Sequence, residues 1–161
     1  IFVSGSPLLV SIPFTLNGLT KFDENEPKAL LQPPGYVFGI VWPMIYLSLF
    51  SMNFLLLNDK NISNYFKNII IKDTLIESFL QGLWLYNFRY KNNIKGRTKG
   101  QYWISSINMF MLVFFGINRI FKFLIINDSI IWKYVLMYVP YFSWINFANI
   151  LSLQLFLGYI K

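Results

Sequence analysis

The chain has 161 residues, of which 55% are hydrophobic and only 13% are charged, and its formal net charge is +7. A soluble domain usually carries about 25% charged residues. One soluble core of this length could not bury so much apolar surface, so the composition favours a bilayer as the solvent. The absence of cysteine and histidine excludes disulfides and removes the commonest metal ligand and acid–base catalyst. The basic residues flank apolar runs without any motif that reads DNA or RNA, so we expect no nucleic-acid partner.

Five apolar stretches, taken in chain order, predict five membrane-spanning helices at residues 1–19, 35–57, 73–90, 101–124 and 129–160. Each stretch is long enough to cross a hydrocarbon layer of about 30 Å at a rise of about 1.5 Å per residue. The stretches are separated by polar segments, of which residues 58–72 are expected to form a loop. Arg119 and Lys122 are expected at the membrane interface near the end of the fourth span. The predicted fold is therefore an all-α integral membrane protein, a single domain over residues 1–161 that forms a bundle of five transmembrane helices.

The second span begins with the sequence PPGYVFGIVWPMIY at residues 33–46. Proline fits the first turn of a helix because the backbone N–H has no partner there. Trp42 and Tyr46 stand four residues apart and so share one helical face. The stretch resembles the signature P-P-x-W-V-F-x-x-V-W-x-x-x-Y of the tryptophan-rich sensory protein / translocator protein family, the peripheral-type benzodiazepine receptor family. Tyr36 takes the place where that family most often has tryptophan.

Two further spans carry similar likenesses. Glu77, Gln81 and Trp84 follow the i, i+4, i+7 spacing of one helical stripe, and the family has Q-x-x-x-N-x-x-W at this place. Residues 139–148 read VPYFSWINFA and resemble the family pattern P-Y-L-x-W-x-x-F-A. The three motifs occur in the family's order and spacing.

The resemblance implies a tight bundle of five transmembrane helices around a pocket for porphyrins, sterols or benzodiazepine-type drugs. No cofactor is obligatory, and a haem precursor or a sterol would be the ligand. The residues that would line the pocket are Tyr36, Trp42, Tyr46, Glu77, Gln81, Trp84, Trp144, Phe147 and Ala148. The alternative for the rings is that they are bundle core or interface anchors. For Glu77, which is close in sequence to Asp73, the alternative is a place at headgroup depth.

The end of the chain fits a loose sterol-binding pattern through Leu157, Tyr159 and Lys161. An aromatic residue and a lysine at the end of a span are equally typical of an ordinary membrane interface. The position agrees with the sterol-associated C-terminus of the family.

The leading functional hypothesis is a translocator-type membrane protein that binds a hydrophobic tetrapyrrole or sterol. The alternative is an accessory subunit of a larger membrane complex, for example in mitochondria, that has lost ligand binding, because residues 29–34 lack the first proline and the tryptophan of the family's P-x-W-x-P-P run. We expect no enzyme activity, although porphyrin photo-oxidation is a third hypothesis. The expected partners are membrane lipids, a hydrophobic small molecule, and either a second copy of the chain or other subunits. Family habit indicates a mitochondrial membrane in a eukaryote or the cell envelope in a bacterium.

Overall fold

The computed structural model describes residues 2–16, 28–87, 99–126 and 131–158. These residues form five α-helices and no β-strand, which confirms the predicted helical class. The helices are α1 (Phe2–Leu16), α2 (Gly35–Asn58), α3 (Asn64–Leu85), α4 (Lys99–Ile126) and α5 (Ile131–Leu157). The predicted limits at residues 1, 19, 90, 129 and 160 lie outside the described residues.

The start of α2 was predicted correctly and the start of α3 was not. Pro34 has extended backbone angles and α2 begins at the next residue, as the double proline indicates. α3 begins at Asn64 rather than at residue 73, so the loop predicted at 58–72 is wrong for most of its length. The reason is a local cap, because the Ser63 hydroxyl accepts a hydrogen bond from the backbone N–H of Phe66 at 3.3 Å.

The helices pack as a closed ring in the order α1, α2, α5, α4, α3, with α3 returning to α1. Two glycines allow close approach within this ring. A Cβ added at Gly82 of α3 would lie 2.5 Å from Val10 Cγ1 of α1, and one at Gly116 of α4 would lie 2.8 Å from the Phe142 ring of α5. The interior of the ring is filled by long side chains, which is where the candidate site lies.

Polar and apolar side chains are distributed in the reverse of the pattern found in soluble proteins. Polar and charged residues are fully buried inside the ring, among them Asn53, Asp73, Glu77, Gln81 and Arg119. Large apolar residues face outward on α2 to α5, including Met44, Leu47, Phe79, Phe110, Phe114, Phe121 and Leu136. Contiguous exposed apolar surface of this kind marks contact with a membrane or with other proteins.

Within the described residues, two helices are long and apolar enough to cross a membrane. They are Gly35–Asn58, with a mean hydropathy of 1.8, and Tyr102–Ile126, with a mean hydropathy of 2.0. The described part of α1 contains a shorter apolar stretch, Phe2–Ile12. α3 carries more polar side chains, and the ring encloses five of them, Asp73, Thr74, Glu77, Ser78 and Gln81.

Candidate functional site

Six aromatic side chains from three helices meet inside the ring and form what we call the aromatic cluster. They are Phe38, Trp42 and Tyr46 of α2, Trp84 of α3, and Trp144 and Phe147 of α5. Trp42 is at the centre, with its ring centroid 5.3 Å from Tyr46, 5.7 Å from Trp84 and 6.1 Å from Trp144. The rings of Trp42 and Tyr46 are stacked, whereas Trp42 and Trp144 are nearly perpendicular at 88°. Both arrangements are favourable for aromatic pairs.

The structure brings together most of the residues that the sequence predicted to share a pocket. Tyr46 and Trp84 are buried, and Trp42, Trp144 and Phe147 are half-buried at one side of the cluster. Ala148 is buried in the core of α5. Tyr36 does not join them, because it lies in the first turn of α2 with 70% of its surface exposed.

The sterol pattern at the end of the chain is described only at its first residue. Leu157 ends α5 and is largely exposed, and Tyr159 and Lys161 lie outside the described residues. The candidate site is therefore built from the interior of the ring.

A buried ion pair lies beside the aromatic cluster. The Arg119 guanidinium donates through Nη1 to Glu77 Oε2 at 2.9 Å, and Tyr138 donates through its hydroxyl to Glu77 Oε1 at 2.8 Å. Arg119 Nη2 donates to Asn53 Oδ1 at 2.6 Å and to Thr74 Oγ1 at 3.0 Å. We call these five residues the ionic network. It joins α2, α3, α4 and α5.

The position of the ionic network corrects one expectation. Arg119 is 0% exposed, so its side chain does not reach the membrane interface as predicted. Glu77 is 1% exposed and ion-paired inside the ring, and its alternative place at headgroup depth stays a prediction. Burying two charges is costly, and it is tolerated here because each charge has a partner of opposite sign and further hydrogen bonds. The Tyr138 ring adds a cation–π contact, with its centroid 5.0 Å from the guanidinium carbon.

A second ion pair lies next to the network, towards the end of α4. Lys122 Nζ donates to both carboxylate oxygens of Asp73, at 2.7 and 2.8 Å. The Lys122 side chain is 28% exposed and that of Asp73 is 8% exposed. Lys122 thus reaches solvent or headgroups as expected, whereas Arg119, one helical turn earlier, points inward.

Three polar side chains near the aromatic cluster have buried atoms without a hydrogen-bond partner. They are the amide of Gln81, the hydroxyl of Tyr141 and the indole nitrogen of Trp144. Buried polar groups are nearly always hydrogen-bonded, and leaving one unpaired costs about 1–3 kcal/mol. These groups are therefore available for hydrogen bonds to a bound molecule, as are Asn53 Nδ2 and Arg119 Nε in the ionic network.

The segment before α2 packs against the far end of α5. Ala29 is fully buried, and the backbone N–H of Leu31 donates to Gln154 Oε1 of α5 at 3.1 Å. The Ala29 N–H donates to Gln32 Oε1 at 3.2 Å, which closes a local turn. This segment lacks the tryptophan that the family pattern has, and it is held to α5 by these contacts instead.

The part of the chain that the structure describes contains no group of three or more acidic, histidine or cysteine side chains that could hold a metal ion. No family model, curated protein or solved structure matches the chain. The assignment of a site therefore depends on the geometry of these residues.

Sequence reasoning missed four members of the ionic network, which are Asn53, Thr74, Arg119 and Tyr138. A signal was present, since an arginine and a glutamate both occur within apolar spans, where a charge needs a partner. Their pairing could have been proposed from that observation. To predict the hydrogen bonds that Asn53 and Tyr138 make in the network, one would also need the order of the helices around the ring.

Proposed function

We propose that this chain is an integral membrane protein that binds a flat hydrophobic molecule, a tetrapyrrole or a sterol, in the aromatic cluster. The observation that carries the proposal is the convergence of Trp42, Trp84 and Trp144 from three different helices on one side of the ring interior. Apolar pockets with a few placed polar groups are the usual sites for such ligands. The same residues belong to the motifs that resemble the translocator protein family, and we propose membership of that family on this basis.

The proposal includes a bilayer crossed by all five helices. Supporting it are the outward-facing apolar residues of α2 to α5 and the enclosure of charged residues inside the ring. In hydrocarbon, charged side chains are tolerated when they face the bundle interior and pair with one another, as Glu77 and Arg119 do. A soluble protein would gain nothing from exposing Phe110, Phe114 and Phe121 along one helix.

Ligand binding in the cluster would require its rings to separate. Trp42 and Trp144 meet edge to face and are half-buried, so a flat molecule could insert between them from the side of the ring where α2 and α5 are adjacent. Inserting a planar ligand would exchange ring–ring contacts for ring–ligand contacts of the same kind. Binding would then depend on the rings of Trp42 and Trp144 more than on any charge.

One observation favours the second candidate, an accessory subunit of a larger membrane complex. The cluster rings already contact one another, so they can serve as packing core. In that case the outward apolar faces would contact other subunits as well as lipid. Retention of ligand by the purified chain distinguishes the two candidates.

The test uses the chain reconstituted in lipid nanodiscs and two probes, protoporphyrin IX and the fluorescent sterol dehydroergosterol. We expect saturable binding of at least one probe above that of protein-free nanodiscs. Trp42→Ala and Trp144→Ala should each weaken this binding by about tenfold or more, because each removes an aromatic contact worth about 0.5–1.5 kcal/mol together with the apolar area that it buries.

Trp132→Ala is the matched control, because Trp132 is 53% exposed at the start of α5 and is not a member of the cluster. Its binding should equal that of the unmodified chain. If neither probe binds saturably, the chain is not a binding protein for these ligands, and migration with other subunits on native gels would then favour the accessory role. If binding is saturable but unaffected by both cluster variants, the site lies elsewhere.

A further inference from the structure

We infer that Gln81 and Tyr141 form a neutral polar subsite that binds a hydroxyl group at one end of an otherwise apolar ligand. The inference deepens the proposed function and rests on it, because the subsite adjoins the aromatic cluster. It selects a ligand with a single uncharged hydroxyl over one with carboxylates.

The Gln81 side chain is the first element of the subsite. It is 1% exposed, and neither its amide nitrogen nor its amide oxygen has a hydrogen-bond partner among the described residues. The residue therefore offers an unused donor and an unused acceptor at one point of the interior. A buried amide with both functions unpaired is uncommon in a folded protein.

Tyr141 is the second element. It is 0% exposed, its hydroxyl has no partner, and its ring centroid is 5.4 Å from that of Tyr138. Along α5, Tyr138, Tyr141 and Trp144 follow one another at intervals of three residues and so share a face. Along α3, Glu77, Gln81 and Trp84 follow one another at intervals of four and three residues and also share a face.

These two faces arrange the interior in three successive levels. At the first level, Glu77 and Tyr138 are hydrogen-bonded to each other across the ring. At the third, Trp84 and Trp144 both contact Trp42 in the aromatic cluster. Gln81 and Tyr141 occupy the level between, so their unpaired groups lie at the polar end of the cluster.

The charge at this end is already balanced. The terminal nitrogens of Arg119 donate to Glu77, Asn53 and Thr74, and although its Nε has no partner, the guanidinium charge is opposed by Glu77 at 2.9 Å. The nearby Lys122 is engaged by Asp73. A ligand carboxylate placed here would be close to Glu77 and would have no uncompensated cation, which makes its desolvation costly. A hydroxyl group donates and accepts without charge, which matches the unused functions of Gln81 and Tyr141.

The test compares two competitors that differ only in the hydroxyl. Cholesterol and 5-cholestene, which lacks the hydroxyl, are each titrated against dehydroergosterol bound to the chain in nanodiscs. In the unmodified chain we expect cholesterol to compete about tenfold more effectively, which corresponds to about 1.4 kcal/mol, because its hydroxyl satisfies buried groups that are otherwise unpaired. Gln81→Leu and Tyr141→Phe should each reduce this ratio to about threefold or less.

The ratio is read only in variants that still bind dehydroergosterol saturably, so a loss of folding is recognised by the loss of that binding and not mistaken for a lowered ratio. Tyr65→Phe is the control, because Tyr65 is 78% exposed near the start of α3. The ratio of cholesterol to 5-cholestene competition in this variant should equal that of the unmodified chain. Equal competition by both sterols in the unmodified chain would overturn the hydroxyl subsite and leave the proposed function intact. An unchanged ratio in both variants would equally overturn the assignment to Gln81 and Tyr141. Absence of any saturable dehydroergosterol binding would instead overturn the sterol-binding site itself.

Discussion

Arg119 of α4 and Glu77 of α3 form an ion pair of 2.9 Å inside the helix ring, with the two side chains 0% and 2% exposed. The pair is the centre of a network that ties four of the five helices together. Because both charges are out of water, each depends on the other for compensation. This dependence makes the pair a sensitive point of the fold.

Removing one partner of this pair should lower the free energy of unfolding more than removing both. Arg119→Met leaves the Glu77 carboxylate buried without a cation, and we expect it to lower the free energy of unfolding by about 3–5 kcal/mol. Adding Glu77→Gln should recover part of this loss, because Gln keeps an acceptor for the Tyr138 hydroxyl and carries no charge. Unfolding by SDS in mixed micelles gives both values.

The matched control is the pair between Lys133 and Asp59, at 3.0 Å, in which the lysine side chain is 55% exposed. Lys133→Met should lower the free energy of unfolding by no more than about 1 kcal/mol, because exposed ion pairs contribute little to stability. An Arg119→Met variant as stable as this control would show that the buried pair does not hold the helices together.

The arrangement of the helices in the membrane can be tested by labelling introduced cysteines, because the sequence contains no cysteine. Phe114→Cys places a thiol on the outward face of α4, well inside Lys99–Ile126, and Lys60→Cys places one in the turn between α2 and α3. In nanodiscs, both faces of the bilayer are open to a membrane-impermeant maleimide. We expect the thiol at residue 60 to react and the thiol at residue 114 to be protected by lipid. Equal labelling rates would rule out a transmembrane α4.

The close contact between α1 and α3 should not tolerate a larger residue at Gly82. In Gly82→Ala the new Cβ would lie 2.5 Å from Val10 Cγ1, and the stiff valine side chain has little freedom to move away. We expect a loss of about 1–3 kcal/mol in the free energy of unfolding.

Gly39→Ala in α2 is the comparison variant, because a Cβ there has no neighbour within 4 Å. It should stabilise the helix by about 0.5–1 kcal/mol through its better helix propensity. A Gly82→Ala variant that gained stability in the same way would contradict the packing of α1 on α3.

Asp59, just after the end of α2, should make stability depend on acid pH. The Tyr134 hydroxyl at 2.6 Å, the backbone N–H of Asn61 and the Lys133 ammonium hold the pKa of Asp59 well below its ordinary value. The stabilisation is therefore fully present above about pH 4, the pKa of an unfolded aspartate, and is lost as the pH falls towards the folded pKa. Melting temperatures of the chain and of Asp59→Asn should converge as the pH is lowered from 6 to 2. A constant difference would contradict this role for Asp59.

The sequence predicted those features that depend on local signals. The double proline marked the start of α2, and the spacing of Trp42 and Tyr46 placed both rings on one face, where they stack. The start of α3 was missed because residues 58–72 are rich in polar side chains. The cap at Ser63 outweighed them, and the helix extends beyond the apolar stretch.

Arg119 could not be placed from local sequence in the same way. Lys122 follows it by one turn, and both residues near a helix end are typical of the membrane interface. Arg119 points inward, unlike Lys122, because Asn53, Thr74 and Glu77 accept its hydrogen bonds. These three residues lie on two other helices and are distant in sequence. The pairing with Glu77 follows from two opposite charges within apolar spans, whereas Asn53 and Thr74 become recognisable as partners only once the order of the helices around the ring is known.

The central claim, that the aromatic cluster binds a flat hydrophobic ligand, is tested most directly by energy transfer from its tryptophans. Trp103 and Trp132, 50% and 53% exposed, are the two tryptophans outside the cluster, so a Trp103→Phe/Trp132→Phe variant emits only from Trp42, Trp84 and Trp144. In nanodiscs, this variant is titrated with dehydroergosterol and, separately, with protoporphyrin IX, and at least one probe should give saturable transfer. That transfer should decline when Trp144→Phe is added and, for the sterol, when excess cholesterol competes. Transfer that rises linearly with both probes, as it would from lipid alone, would contradict the claim.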